Sequence, residues 1–188
     1  MGRWEPNARG RLERAAMELF VARGFEQTTV AEIAQRAGLT ERTFFRYFAD
    51  KREVLFAGAG ALQELLVRAV AQAPGSATPL GAIASALEAA APLFAERGDY
   101  PRRRQAVIAA NAELQERELI KLAALAAAMA GALRERGIPE PTASLAAEAG
   151  IAAFRIAFER WTTEDCRPEL AKLIRESLDE LKALTAGW

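Results

Sequence analysis

The chain has 188 residues, no histidine and one cysteine, and its 25 basic residues balance 25 acidic ones. Without histidine it lacks the commonest general base and metal ligand, one cysteine excludes an intrachain disulfide, and zero net charge excludes a uniformly basic nucleic-acid coat. Hydrophobic residues make up 51%, with many Ala, Leu and Glu and no extended β-branched alternation, so the expected fold is all-α.

The first expected helix lies in residues 9–25, RGRLERAAMELFVARGF, where Leu12, Ala16, Leu19 and Phe20 form an apolar face. A capping box from Thr29 to Glu32 opens the second. Ala34 allows a close helix crossing, and Gly38 can take the left-handed conformation that ends a helix. Leu39 plugs the corner and Thr40 caps a third helix. With Phe44 six residues after Gly38, this is the small–Gly–apolar spacing of a helix-turn-helix over about 29–48. Phe44 and Phe48 share the buried side with Leu39, and the first helix should pack on Phe25, Val30, Ile33 and Phe48 to make a miniature core.

The other side of the third helix carries Arg42, Phe45 and Arg46, flanked by Glu41, Thr43 and Tyr47. A merely solvated face would leave large aromatics wet without a partner. A major-groove reading uses them: Arg42 or Arg46 forks onto guanine, and Thr43 or Phe45 touches a thymine methyl. Thr29, Thr40, Tyr47 and Lys51 would hold the backbone and set the register. Lys51 stands in the first turn of the next expected helix, against the dipole, which suggests a phosphate partner. That helix, capped by Asp50 and Glu53, is expected to run unbroken from Lys51 to about residue 73.

The stretch 72–81, QAPGSATPLG, marks a break. Further helices are expected at 79–97, with Pro92 as a kink or pocket edge, and at 101–111, 113–136, 142–161 and 168–185, making about nine in all. The divisions are a helix-turn-helix DNA-binding domain at 1–56 and a helical ligand-binding and dimerisation domain at 57–188. Residues 1–56 carry ten Lys/Arg against eight Asp/Glu, so affinity for DNA must come from placed contacts.

In the last helix Leu170, Ile174, Leu178, Leu181 and Leu184 form a stripe. The helix before it offers Ala146, Ala147, Gly150 and Ala153, then Phe154 and Phe158. These stripes are expected to form a dimer interface through Phe154, Phe158, Leu170, Ile174, Leu178 and Leu181; the alternative is internal core. Leu87, Phe94, Ile108, Leu122, Leu125, Met129, Phe154 and Phe158 are expected to line a ligand pocket, with ordinary core as the alternative. Arg102, Arg103 and Arg104 crowd a helix start, either as solvated surface or as a site for an anionic head group. Cys166 lies in a polar connection with no base beside it in sequence.

The segment ELFVARGFEQTTVAEIAQRAGLTERTFFRYFADKREVLF, within residues 9–56, resembles the DNA-binding domain of the TetR family of transcriptional regulators. The resemblance covers about the first third of the chain. It implies operator DNA as a partner, a homodimer joined by a four-helix bundle of the last two helices, and a small-molecule effector held by the C-terminal domain. One departure is Phe45, which stands where the family usually has a Tyr that bonds a phosphate.

The expected function is a ligand-responsive DNA-binding transcriptional regulator, a repressor released by an apolar or amphiphilic effector. The alternative is a helical small-molecule-binding protein without specific DNA recognition. Catalytic residues, metal ligands and cofactors are expected to be none. With no signal-peptide pattern, and no uninterrupted apolar run of about 18 residues, a cytoplasmic protein without a membrane span is expected.

Overall fold

Helix α1, Ala8–Arg23, begins where Asn7 accepts the N–H of Gly10 at 2.9 Å. It ends at Gly24, whose φ of 87° a side chain would resist. The computed structural model describes residues 7–164 and 168–186; Cys166 lies outside them. Among the described residues there are nine α-helices, one 3-10 turn and no strand. They form two compact units, one holding the chain up to Gly58 together with Arg103–Glu118, the other holding Ala59–Arg102 and the chain from Leu119 onward. The division expected at 56/57 does not separate out the returning segment 103–118.

In the first unit α1 packs on α2 (Val30–Arg36) and α3 (Glu41–Tyr47). Leu12, Ala16, Met17, Phe20, Phe25, Ile33, Ala34, Phe44 and Phe48 are buried, and Leu19 and Val30 are half-buried. The expected miniature core is therefore present. Phe20 and Phe25 pack at a ring separation of 5.2 Å, and Phe44 and Phe48 at 5.4 Å.

The expected single helix from Lys51 to residue 73 is in fact two pieces. Glu53–Phe56 is a 3-10 turn, and α4 begins only at Ala59 and runs to Gln72. Gly58 and Gly60 flank that start and are poor helix formers. The carbonyl of Ala57 instead accepts a hydrogen bond from Arg9. The whole stretch Glu53–Gln72 has 20 residues and a mean hydropathy of 1.5, long and apolar enough to cross a membrane. Its Val54, Leu55 and Phe56 are buried in the first unit, and its Leu66 and Val70 lie in the core of the second.

The returning segment comprises the end of α6 (Tyr100–Ala109) and the start of α7 (Ala112–Glu135). Arg104 donates to the Leu55 carbonyl at 2.8 Å and pairs with Glu118 at 2.9 Å, stacked over Phe56. Asn111 donates to Glu26 at 2.7 Å and Arg117 to Glu53 at 2.8 Å, while Arg52 pairs with Glu113.

In the second unit α5 (Pro79–Ala95) packs on α4, α8 (Glu140–Thr163) and α9 (Leu170–Thr185). Thr78 caps α5 by accepting the N–H of Gly81 at 3.1 Å. Ala82, Ala86 and Ala90 of α5 are buried, as are Ala143, Ala147 and Gly150 of α8. Small residues let the helices approach until a Cβ on Gly150 would collide with Ile83.

Two arginines close helix ends in this unit. Arg136 donates to the carbonyls of Val70 (2.8 Å), Ala73 (2.6 Å) and Pro74 (2.9 Å) at the end of α4. Arg102 donates to the carbonyls of Trp161 (3.2 Å) and Glu164 (2.6 Å) at the end of α8, where the helix dipole favours a cation. The expected arginine cluster is thereby dispersed. Arg102 and Arg104 are structural ties, and Arg103 alone is exposed.

Candidate nucleic-acid interface

Recognition demands a rigid helix, and local chemistry makes α3 one despite its seven residues. Gly38 turns the chain at φ 64°, and the Leu39 N–H returns to the Ala34 carbonyl at 2.8 Å. Arg11 of α1 donates to the Ala37 carbonyl at 2.5 Å and covers the turn so closely that a Cβ on Gly38 would lie 2.8 Å from its guanidinium. Thr40 accepts the N–H of Thr43 at 3.2 Å, and their hydroxyls meet at 3.1 Å. Phe44, fully buried, pins the inner face. Sequence reasoning passed over Arg9 and Arg11, whose partners are backbone carbonyls far along the chain and carry no sequence signal.

The outer face carries the expected side chains. Glu41, Arg42, Phe45, Arg46 and Tyr47 are exposed, and Thr43 is half-buried. Arg42 makes no hydrogen bond or ion pair among the described residues. Arg46 lies over the Tyr47 ring, 5.0 Å from its centre, and donates to the Tyr47 hydroxyl at 3.2 Å. Phe45 is 54% exposed, with its ring edge against Phe44.

Thr29 forms the expected capping box. Its hydroxyl accepts the Glu32 N–H at 3.2 Å and donates to the Glu32 carboxylate at 2.9 Å, and its own N–H donates there at 2.9 Å. These bonds, the backbone one foremost, hold the Glu32 pKa below the ordinary glutamate value.

Lys51 is a correction. Its ammonium donates to the carbonyls of Phe25 (2.8 Å), Thr28 (3.2 Å) and Glu26 (3.3 Å), and sits 4.3 Å from the centre of the Phe25 ring. Three donors meet three acceptors, so the anionic partner inferred from its place in a helix start is replaced by the loop between α1 and α2. Lys51→Ala should destabilise the fold by about 1.5–3 kcal/mol, the range for charge-assisted bonds. In urea denaturation, a midpoint equal to the parent's would show that the clip contributes nothing.

Asp50 holds the turn after α3. Its carboxylate accepts the N–H of Arg52 at 2.8 Å and of Glu53 at 3.1 Å, and pairs with the Arg52 guanidinium at 2.6 Å. The Arg52 side-chain bond, against opposing burial, lowers the Asp50 pKa below its ordinary 3.8, and the Arg52 pKa is raised in turn. A carboxylate depressed on folding contributes stability that is complete above the unfolded value and lost as pH falls through the folded one. Between about pH 5 and 2 the thermal midpoint of the parent should fall more steeply than that of Asp50→Asn. Parallel curves would contradict this role.

The expected pocket residues are mostly together. Leu87, Leu125, Met129, Phe154 and Phe158 belong to one core cluster of the second unit, with Phe94 and Leu122 packed against it. Phe94, Phe154, Phe158 and Trp161 stack at ring separations of 5.2–5.8 Å. Ile108 is a correction: it is buried in the returning segment of the first unit, outside that cluster.

The expected dimer seam is corrected as well. Leu170, Ile174 and Leu178 are at most 3% exposed within the single chain, and Phe154 and Phe158 are buried in the same cluster. Leu181 is half-buried. The stripe on α9 is filled by α5 and α8, so the face left open is the other one, with Leu145, Ala152 and Ile156 on α8 and Leu184 on α9. Hydrophobic spacing marked the apolar stripe without saying which partner covers it.

An internally fixed helix-turn-helix with a basic, aromatic outer face has the form of a DNA-binding domain, here followed in the chain by further helices. Residues 13–57 match the family described as bacterial regulatory proteins, tetR family. The chain is similar to the HTH-type transcriptional regulator TcmR of Streptomyces glaucescens, 42% identical over 81 residues, covering 43% of this chain and 36% of the relative. It thus spans well under half the length of the curated relatives it matches.

Among solved structures it is similar to Thermus thermophilus FadR, a TetR-family repressor in complex with lauroyl-CoA, at 26% identity, with 91% of each chain covered and a TM-score of 0.58. It also resembles the complex of SmeT with triclosan at 20% identity, covering 92% of this chain and 90% of that one, with a TM-score of 0.64. SmeT is the repressor of a Stenotrophomonas maltophilia multidrug efflux pump. The match to the tetR family thus covers residues 13–57, about a quarter of the chain, and the likeness to the solved structures extends over the fold of the rest. That family is one of DNA-binding transcriptional regulators, not enzymes.

Proposed function

We propose that the protein is a cytoplasmic, homodimeric repressor that reads a two-fold operator with α3 and leaves it when an apolar or amphiphilic molecule binds the second unit. The observation that carries this reading is the outer face of α3, where Arg42, Phe45 and Arg46 stand exposed on a helix held by buried Phe44. Arg42 and Arg46 supply bidentate donors for guanine, and Thr40, Thr43 and Tyr47 supply backbone contacts.

Pairing through the open face of α8 and α9 is supported by its exposure. Leu145 and Leu184 are 71% and 67% exposed, and Leu145, Ala149, Ala152 and Ile156 recur at helical spacing. Ile156→Glu should give a folded monomer by light scattering, because an unpaired carboxylate in a desolvated seam is strongly disfavoured. Leu178→Glu, at a core position, should unfold the second unit instead. A dimeric Ile156→Glu would remove this seam.

Effector control is supported by chain continuity and by the relatives' ligands. α6 and α7 each begin in one unit and continue in the other, and their shared segment is tied to the first unit through Arg104, Asn111 and Arg117. On this reading a ligand that displaces α7 in the second unit acts on the first through the continuous chain of that segment. The aromatic cluster around Phe94, Phe154 and Phe158 suits an apolar chain, and lauroyl-CoA is the probe suggested by the likeness to FadR.

The test begins by enriching a binding sequence from a random DNA pool. Lauroyl-CoA and triclosan are then titrated with and without that DNA. Linkage requires the DNA to weaken the effector by the factor by which the effector weakens the DNA, typically about 1–3 kcal/mol. No enriched sequence would overturn DNA reading, and equal effector affinities in the two titrations would overturn effector control.

A further inference from the structure

Phe45 is the one large apolar side chain on a face otherwise built to donate hydrogen bonds. Its neighbours there are Arg42, three residues before it, and Arg46 beside it. Neither guanidinium is matched to a carboxylate: Arg42 has no polar partner among the described residues, and the one hydrogen bond described for Arg46 goes to the neutral Tyr47 hydroxyl. Left in water, a 54% exposed phenyl ring gains nothing from this position.

The ring is also held still. Its edge meets Phe44 at a centroid separation of 5.5 Å and an interplanar angle of 82°, the T-shaped arrangement that aromatic pairs prefer. Phe44 is fully buried and stacked in turn on Phe48 at 5.4 Å. The backbone beneath is fixed by the Thr40 cap and the Gly38 turn. Phe45 is therefore a preordered apolar prong, and little side-chain freedom remains to be lost on docking.

From these observations we infer that Phe45 is a specificity-determining residue that reads the C5-methyl group of a thymine. It rests on the reading of α3 as the groove helix. A phenyl ring has no hydroxyl to hold a phosphate, and the edge of the major groove presents a single apolar group, the thymine methyl. Arg42 and Arg46 carry only donors, so they read acceptors, which guanine O6 and N7 and thymine O4 all present. Phe45 adds the discrimination that hydrogen bonds do not supply, and thymine should be required at one position of each half-site.

The test alters the DNA and leaves the protein unchanged. In the enriched sequence each thymine is replaced in turn by uracil, which keeps the base pair and removes only the methyl. Binding is read by fluorescence anisotropy for the parent, Phe45→Ala and Arg42→Ala. The parent should lose about fourfold in affinity at one position per half-site, the value of one buried methyl, and roughly fifteenfold when both half-sites are changed. Phe45→Ala should bind the thymine and uracil versions equally. Uracil without effect at every position, or a uracil effect that persists in Phe45→Ala, would overturn the inference and leave the ring as a contact to sugar. In either case a loss of specific binding in Arg42→Ala would show that α3 still reads the groove. If Arg42→Ala and Phe45→Ala both bind like the parent, the groove assignment itself fails.

Discussion

Arg42→Ala should weaken binding to the enriched operator by about 1–3 kcal/mol for each half-site and relax the preference at the base it contacts. The reason is that Arg42 is exposed, carries no hydrogen bond or ion pair among the described residues, and lies on the face shared with Phe45. Nothing described within the protein competes for its five donors. Arg46 differs, because its guanidinium already rests on Tyr47 and donates to the Tyr47 hydroxyl. Reaching a base means giving up those contacts, so Arg46→Ala should cost less than Arg42→Ala. Anisotropy titrations against the operator and a scrambled duplex separate the two effects. Binding of Arg42→Ala equal to that of the parent on both duplexes would remove Arg42 from the interface. A uniform loss on both would make Arg42 a phosphate contact and not a base reader.

Phe44→Ala should destabilise the first unit by about 3–5 kcal/mol, the range for emptying a fully buried aromatic site. Phe44 is 0% exposed and meets both Phe45 and Phe48. Its loss leaves a cavity under α3, and a helix of seven residues has little stability of its own to resist distortion. Urea denaturation should show an early transition for the first unit. DNA binding should fall further than stability at room temperature explains, because the reading face loses its support. Phe45→Ala, one residue on but exposed, should move the transition by no more than about 0.5–1 kcal/mol. A Phe44→Ala variant within that same range would mean that α3 is held by its cap and turn alone.

Several features were legible in the chain because their causes are local. The Thr29–Glu32 box, the Thr40 cap and the left-handed Gly38 depend on residues within a few positions of one another, and all three are present. The period of the apolar residues separated Phe44 and Phe48 from Arg42, Phe45 and Arg46 for the same reason. A helix face is set by 3.6-residue geometry before any tertiary contact forms.

What only the tertiary structure decided concerns partners distant in sequence. Lys51 looked like a free cation in a helix start, yet its acceptors are carbonyls more than twenty residues earlier. Arg102 and Arg104 formed one cluster in sequence and hold opposite ends of different elements in space, the end of α8 and the turn at Leu55. The stripe of Leu170, Ile174 and Leu178 was plainly apolar, but periodicity reports that a face is buried and not by which neighbour. That neighbour is α5 and α8 of the same chain, which leaves Leu145 and Ile156 outside. Local preference and spacing act along a few turns and are written in the residues themselves. The choice of partner for a charge or an apolar face depends on which surfaces the chain brings together once loops are closed, and no short window of sequence contains it.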